Sequence, residues 1–366
     1  MSTFIQLHLL TSYPPSNLNR DDLGRPKTAI MGGKTRLRVS SQSLKRAWRT
    51  SDIFAKAMEG HVGTRTKVMG VEVYETLKAK GVTEGNAKSW AKQIAEVFGK
   101  AKKVNAAKPL EELEIEQLAH FSPEEKKSII TLADKLAASN TAPSVDDLKL
   151  LQKNHTAADI AMFGRMLASS PAFNTEAAVQ VAHAVTVHDV AVEDDYFTAV
   201  DDLNTGEDDL GAAHIGETEF GAGVFYLYLC IDRNLLVENV GGDKELANKA
   251  LKALVEAAAK VSPTGKQNSF ASRAYASFVL AEKGELQPRS LSTAFLESVK
   301  GNNHLEEAIT RLEKTRNNLD GVYYGWEPIE NDGKDKPKVA KSLPSKKLNA
   351  LTGEGSLNDI FTFVTE

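Results

Sequence analysis

Cysteine is almost absent: Cys230 stands alone among 366 residues. One thiol closes no internal disulfide, and it builds no zinc site without several histidines, so a reducing compartment and no metal or other cofactor are expected. No apolar run approaches the ~20 residues that cross a bilayer. The opening residues Met1-Ser2-Thr3-Phe4 lack the basic-then-apolar order of a secretory leader. The expectation is a cytoplasmic protein without a membrane partner. Internal repeats and long low-complexity tracts are missing too. What is present, 42% hydrophobic and 26% charged residues, suits a packed core in one large decorated domain or two domains.

Basic residues are also in short supply overall, since the formal net charge is −4. That sum hides a sharp asymmetry. Residues 1–50 hold nine Lys or Arg against Asp21 and Asp22, an excess of +7, whereas residues 191–219 hold ten acids and no Lys or Arg. A basic segment of this kind is either a phosphate track or a solvated surface. The acidic stretch is either a solvated loop or a face for the basic segment of a second copy. Such a head-to-tail contact does not close on itself and propagates as a filament.

Periodicity gives a coarse map. Residues 4–10 (FIQLHLL) predict a strand buried on both faces. Residues 12–34, dense in Ser, Pro, Asn, Asp and Gly, predict a long loop. Thr35–Val39 alternates, which would put Arg36 and Arg38 together on one sheet face. Ser40, Ser41 and Ser43 suit a helix N-cap, with the helix running on toward Ala57. About 70–168 looks almost wholly helical, with breaks near Gly81, Pro109, Pro123 and Pro143, and 171–190 predicts another helix. Tyr196–Leu203 and Val224–Ile231 predict the strands of a long hairpin arm. A helix over 243–260, a strand over 274–280, mostly helix over 290–318 and a basic linker over 333–347 complete the chain. The order is that of an α+β fold, most simply a ferredoxin-like core with insertions.

Chemistry at a probable helix start supports the phosphate reading, because Lys34, Ser40, Gln42, Lys45 and Arg46 mix point charges with short donors. Three catalytic or ligand motifs fail. Thr28–Thr35 (TAIMGGKT) nearly spells a P-loop, but its first position is not Gly and a strand, not a helix, follows. His183 and His188, five apart on an expected helix, would face apart and predict core histidines, not a metal pair. Asp201 and Asp202 on the expected arm suit capping or solvation better than catalysis.

Asn19-Arg20-Asp21-Asp22, Gly32-Gly33-Lys34 and Arg36 to Arg46 (RLRVSSQSLKR) resemble the CasC-type backbone subunit of the type I-E CRISPR Cascade complex. Asp159–Met166 (DIAMFGRM), Ala182–His188 (AHAVTVH) and Phe197–Tyr226 agree in order and spacing. Residues 60–155 and the C-terminal third are similar only loosely. The resemblance implies an RRM-like palm, a helical fingers insertion and a protruding β-hairpin thumb. The limits it implies are palm 1–59, fingers 60–165, palm helix 166–190, thumb 191–223, palm 224–332, and a basic linker and C-terminal segment 333–366. It implies a non-catalytic subunit that lines up in several copies along guide RNA and displays it for pairing with target DNA. Implied partners are the guide RNA, target DNA through the guide, neighbouring copies, and the large, small, guide-end-binding and guide-processing Cascade subunits.

Carried over by position, Arg20, Lys27, Lys34, Ser40, Gln42, Lys45, Arg46 and Arg49 become RNA-backbone contacts. Met166 and Phe197 become wedges that interrupt base stacking, the alternative being ordinary core packing. Lys149 and Lys153 fall where the family carries lysines that guide target DNA. Leu148 and Gln152 thin that run, so a solvated helix face competes. Two other functions remain in view: an endoribonuclease using a thumb aspartate, and an oligomeric adaptor with no nucleic acid.

Overall fold

The computed structural model describes residues 2–199, 214–325 and 343–366. The chain opens with β1 (Phe4–Ser16), and every side chain from Ile5 to Leu10 is buried, as its unbroken apolar run requires. Then come β2 (Thr28–Met31), β3 (Lys34–Val39), α1 (Ser41–Arg49), α2 (Asp52–Ala57), β4 (Thr64–Thr66), α3 (Met69–Ala79) and α4 (Glu84–Glu96). Next are β5 (Ala119–Phe121), α5 (Pro123–Ser139), α6 (Ala158–Phe163), β6 (Val179–Val181), β7 (Ala184–Thr186), β8 (Glu193–Ala199) and β9 (His214–Asp232). The chain finishes with α7 (Arg233–Asn239), α8 (Lys244–Lys260), α9 (Gln267–Phe270), β10 (Phe278–Gly284), α10 (His304–Tyr324), β11 (Ser345–Asn349) and α11 (Leu357–Thr365).

The α+β expectation holds. Among the described residues one antiparallel sheet runs β11-β10-β1-β9-β7-β3-β2, with β6 and β8 also paired to β9. The alternation of β1 sorts its two faces. Ile5, Leu7 and Leu9 join a core with α1, α2, α7, α8 and α11, while Leu10 joins a second core with Tyr226, Phe278, Phe295 and α10. A third core, built from α3, α4, β5 and α5, holds residues 69–167 together separately.

Several expectations need correcting. The 12–34 loop is shorter, because β1 continues to Ser16 and β2 forms a hairpin with β3. Gly32 and Gly33 both take positive φ (57° and 71°), the geometry of the two-residue turn that matches strand twist. A β-carbon on Gly32 would sit 1.7 Å from the Leu296 carbonyl oxygen, so the turn also needs glycine for contact. The first helix stops at Arg49 because Ser51 caps a new one, accepting from the Phe54 N–H. Residues 166–190 do not form a palm helix: they give a short turn at Pro171–Phe173 and the strands β6 and β7. There the Val and Thr residues bond to β9, and pairing overrides the helical preference of the alanines. Residues 145–148 are a turn and the residues carrying Lys149 and Lys153 are irregular, not helical. Part of the expected basic linker lies outside the described residues, but Ser345–Asn349 is an edge strand on β10.

The face that carries α10 is unusually polar. Glu282 on β10 is fully buried and meets His8 Nε2 at 3.2 Å, Arg289 at 3.0 Å and Arg316 Nε at 2.7 Å. Arg289 also bonds Asp320 at 2.6 Å. Burial alone would raise the Glu282 carboxyl, but His8 and the two guanidiniums outweigh it and hold it at about 2. Burial keeps His8 itself below its ordinary value, so the arginines are the permanent cationic partners. The network anchors α10, whose own buried side chains are only Ala308, Ile309, Leu312 and Asp320.

A depressed carboxyl stabilises above its ordinary value and loses that contribution as pH falls through the folded value. Stability should therefore drop between about 4.5 and about 2 through Glu282. Glu282→Gln removes the carboxylate shared by His8, Arg289 and Arg316, leaves both guanidiniums to the Asp320 carboxylate, and is expected to cost about 3 kcal/mol at neutral pH. The same variant should flatten the acid limb of a denaturation series. Equal acid sensitivity in both chains would contradict the assignment.

Candidate nucleic-acid interface

Residues 17–49 form one segment tied together by hydrogen bonds. Asn19 is its organiser: its Oδ1 accepts the Ser40 N–H at 2.9 Å, and its carbonyl accepts the Lys27 N–H at 2.8 Å. Arg20 and Pro26 form a bridge that closes the loop between. Asn17, fully buried, donates to the Gly24 and Glu219 carbonyls, and Arg25 pairs with the Glu219 carboxylate at 3.0 Å. The loop is thus fastened to α1 on one side and to β9 on the other.

Ser40 is buried as the N-cap of α1, with extended backbone and its Oγ accepting the Ser43 N–H at 3.3 Å. Leu44, Ala47 and Trp48 face the core. The outer side of α1 carries Gln42, Lys45 and Arg46, and the helix contains no acid. An uncompensated helix N-terminus beside cations favours anions. Among the described residues Arg20, Lys27, Lys45 and Arg46 have no carboxylate within ion-pair distance. The Lys45 amine lies 5.8 Å from the Phe163 ring centre, and burial lowers its pKa. Lys34 stands 3.8 Å from Asp189 with both side chains at least half exposed, a contact of little energy.

Two arginines are placed differently from expectation. Arg36 does not share an open face with Arg38. It is fully buried and donates to the Thr186 and Phe295 carbonyls, because residues 291–299 cover that face. Arg38 is half-buried and meets the His183 ring at 2.8 Å. His183 itself is exposed, whereas His188 is buried and stacks on His304 with ring centres 4.1 Å apart. The core reading therefore fits His188 alone.

Arg49 is committed within the chain. Its Nε donates to Asp159 at 3.1 Å, and its terminal nitrogen donates to the Gly63 carbonyl. The Asp159 carboxylate is fully buried and also accepts the Gly63 N–H at 2.8 Å and meets His120 Nε2 at 2.9 Å. Burial would raise Asp159, but His120, Gly63 and Arg49 together hold it below the ordinary carboxyl value. One carboxylate thus ties α1 to both ends of the 64–157 excursion.

The two apolar candidates are on the surface. Met166 is 78% exposed, between buried Arg165 and Leu167. Phe197 is 44% exposed on β8, opposite Gly216 of β9. Its ring lies over that glycine, where a β-carbon would come within 2.4 Å of it. Ordinary core packing therefore describes neither residue. Lys149 is exposed and pairs with Asp146 at 2.7 Å, and Lys153 is exposed. Asp201 and Asp202 lie outside the described residues. Among the described residues, no cluster of three or more His, Cys, Asp or Glu could hold a metal ion, and no helix is long and apolar enough to cross a membrane.

The family model described as CT1975-like protein (Cas_CT1975) matches residues 5–360. The chain belongs to the CT1975-like family. Two solved structures are similar over nearly its whole length. A chain of a "CRISPR RNA-guided surveillance complex, pre-nicking" is 31% identical, covers 88% of this chain and 89% of its own, and superposes with a TM-score of 0.77. A chain of a "CRISPR RNA-guided surveillance complex" is 26% identical, covers 88% of each chain and gives a TM-score of 0.68. No curated protein matches. These findings bear out the resemblance to Cascade backbone subunits. Within the CT1975-like chain, the N-terminal motif that carried the resemblance supplies Arg20, Gln42, Lys45 and Arg46 of the surface described above.

Sequence reasoning missed Asn19, Asp159 and Arg165 as organisers, although each lies inside a quoted motif. Asp159→Ala should leave Arg49 and His120 without their shared acceptor. We expect a loss of about 3–5 kcal/mol and faster proteolysis around residues 58–66. Unchanged cleavage there would show that the carboxylate does not fasten the excursion.

Proposed function

We propose that the chain is a non-catalytic backbone subunit of a type I-E Cascade complex. Copies line up along guide RNA in the cytoplasm and display its bases for pairing with target DNA. The observation that carries this reading is the set of cations on the 19–49 surface without carboxylate partners. In a chain of net charge −4, Arg20, Lys27, Lys45 and Arg46 lack carboxylate partners among the described residues, and phosphates would supply the anions. Gln42 and the first turn of α1 add neutral donors to the same track. Ser40 acts one step removed, as the cap that holds the helix start, and Arg49 holds Asp159.

Exposed Met166 and Phe197 are suited to wedging between bases, because an apolar side chain replaces lost stacking whatever the base. Lys153 offers a free cation for target DNA, while Lys149 is already paired with Asp146. Neighbouring copies and the other Cascade subunits named above complete the assembly. Phosphate contacts position the strand, and base pairing reads sequence.

Lys45→Ala with Arg46→Ala should weaken RNA binding alike for all sequences. The slope of log affinity against log salt should fall by about 0.7 per lost contact. A base-selective loss would sink the backbone-grip reading. Phe197→Ala should change the periodicity of nucleotide protection more than affinity. RNA cleavage that vanishes in Asp202→Ala would favour an endoribonuclease instead, and an assembly purified without RNA would favour a plain adaptor.

A further inference from the structure

Met166 is exposed while the residues on either side are buried. Methionine is flexible, so it can act at a fixed point only if its backbone is held. The holding is extensive. Arg165 and Thr175 exchange two backbone hydrogen bonds of 3.0 Å each, and the Leu167 N–H donates to Asn174 Oδ1 at 2.7 Å. Gly164 turns the chain into this loop at a φ of +81°.

Beneath Met166 lies a buried ion pair. One Arg165 nitrogen donates to Glu125 Oε2 at 2.6 Å and to the His120 carbonyl at 3.2 Å. The other donates to the Gln152 and Phe173 carbonyls at 3.2 and 3.1 Å. The Glu125 carboxylate also accepts the N–H groups of Ser122 and Gln152, and its side chain is completely buried. Four chain segments therefore meet on one guanidinium: β5, the start of α5, the segment at Gln152, and the turn at Pro171–Phe173.

Removing two charges from water costs several kcal/mol per ion, and an apolar pair of similar volume often gives equal or greater stability. An apolar pair lacks the planar fork that fixes direction toward four acceptors. We infer that Arg165, acting through Glu125, is a positioning residue that sets where Met166 projects. The inference rests on the wedge role proposed above for Met166.

The test uses the complete RNA-loaded assembly and a single-strand-specific chemical probe of nucleotide reactivity. Met166→Ala should erase the periodic reactive position if the wedge is real. Arg165→Met with Glu125→Leu leaves the Ser122 and Gln152 N–H groups without their acceptor, so a lower thermal midpoint is expected, and the RNA-loaded assembly should blur or lose the same position. A sharp pattern in this double variant, alongside loss in Met166→Ala, overturns the positioning role and spares the wedge. A pattern unmoved by Met166→Ala removes the wedge, and with it the role of Arg165. Should the double variant fail to assemble, Arg165→Lys decides. It keeps the charge against Glu125 and loses the fork, so a blurred position is expected and an unchanged one overturns the inference.

Discussion

The pairing of β1 with β9 is the constraint from which the rest of the molecule follows. Their register runs unbroken from Phe4 opposite Asp232 to Tyr13 opposite Gly223, then shifts before Ser16 meets Gly221. Both strands run past this shift, in different directions of use. β1 leads into the Asn17–Lys27 loop, and β9 continues as one strand of the hairpin with β8. The cationic loop and the arm bearing Phe197 are therefore extensions of the two central strands. Asn17 and Arg25 fasten them together again at Glu219.

Charge is distributed by the same logic. The buried carboxylates Glu282, Asp159 and Glu125 are paired, and each pair joins segments that sequence separates widely, while buried Arg36 donates to two carbonyls. Glu282 fixes α10 to the sheet, Asp159 fixes the helical excursion to α1, and Glu125 fixes the loop carrying Met166. On α1 and the loop before it, Arg20, Lys27, Lys45 and Arg46 have no carboxylate within ion-pair distance among the described residues. Inward-bonded and outward-facing arginines stand close together in one segment, and burial separates them: Arg36 and Arg49 are engaged inward, Arg20 and Arg46 outward.

Much of this was legible from the sequence where local rules dominate. The apolar run of β1, the Ser40 cap, the first strand of the arm and α8 follow from periodicity and capping chemistry alone, whereas Val224–Ile231, expected as the arm's second strand, pairs with β1, and His214–Phe220 takes that place. Residues 166–190 were not, because alanine-rich local preference points to helix and only the edge offered by β9 decides otherwise. Arg36 misled for a related reason. Strand alternation places it correctly beside Arg38, but nothing local says that residues 291–299 cover that face. The cationic site was readable as an excess of charge, whereas its organisers were not. Asn19, Asp159 and Arg165 act across long separations, and a lone polar residue carries no periodic signal.

The hairpin of β8 and β9 has a mechanical consequence. A ribbon of only two strands twists more readily than a wide sheet. Its hydrogen bonds and covalent backbone resist stretching. The seven residues from His214 to Phe220 set a reach of about 23 Å at the usual strand rise. Phe197, opposite Gly216, is thus carried about 13 Å along the strand from Phe220, at a distance the backbone holds fixed.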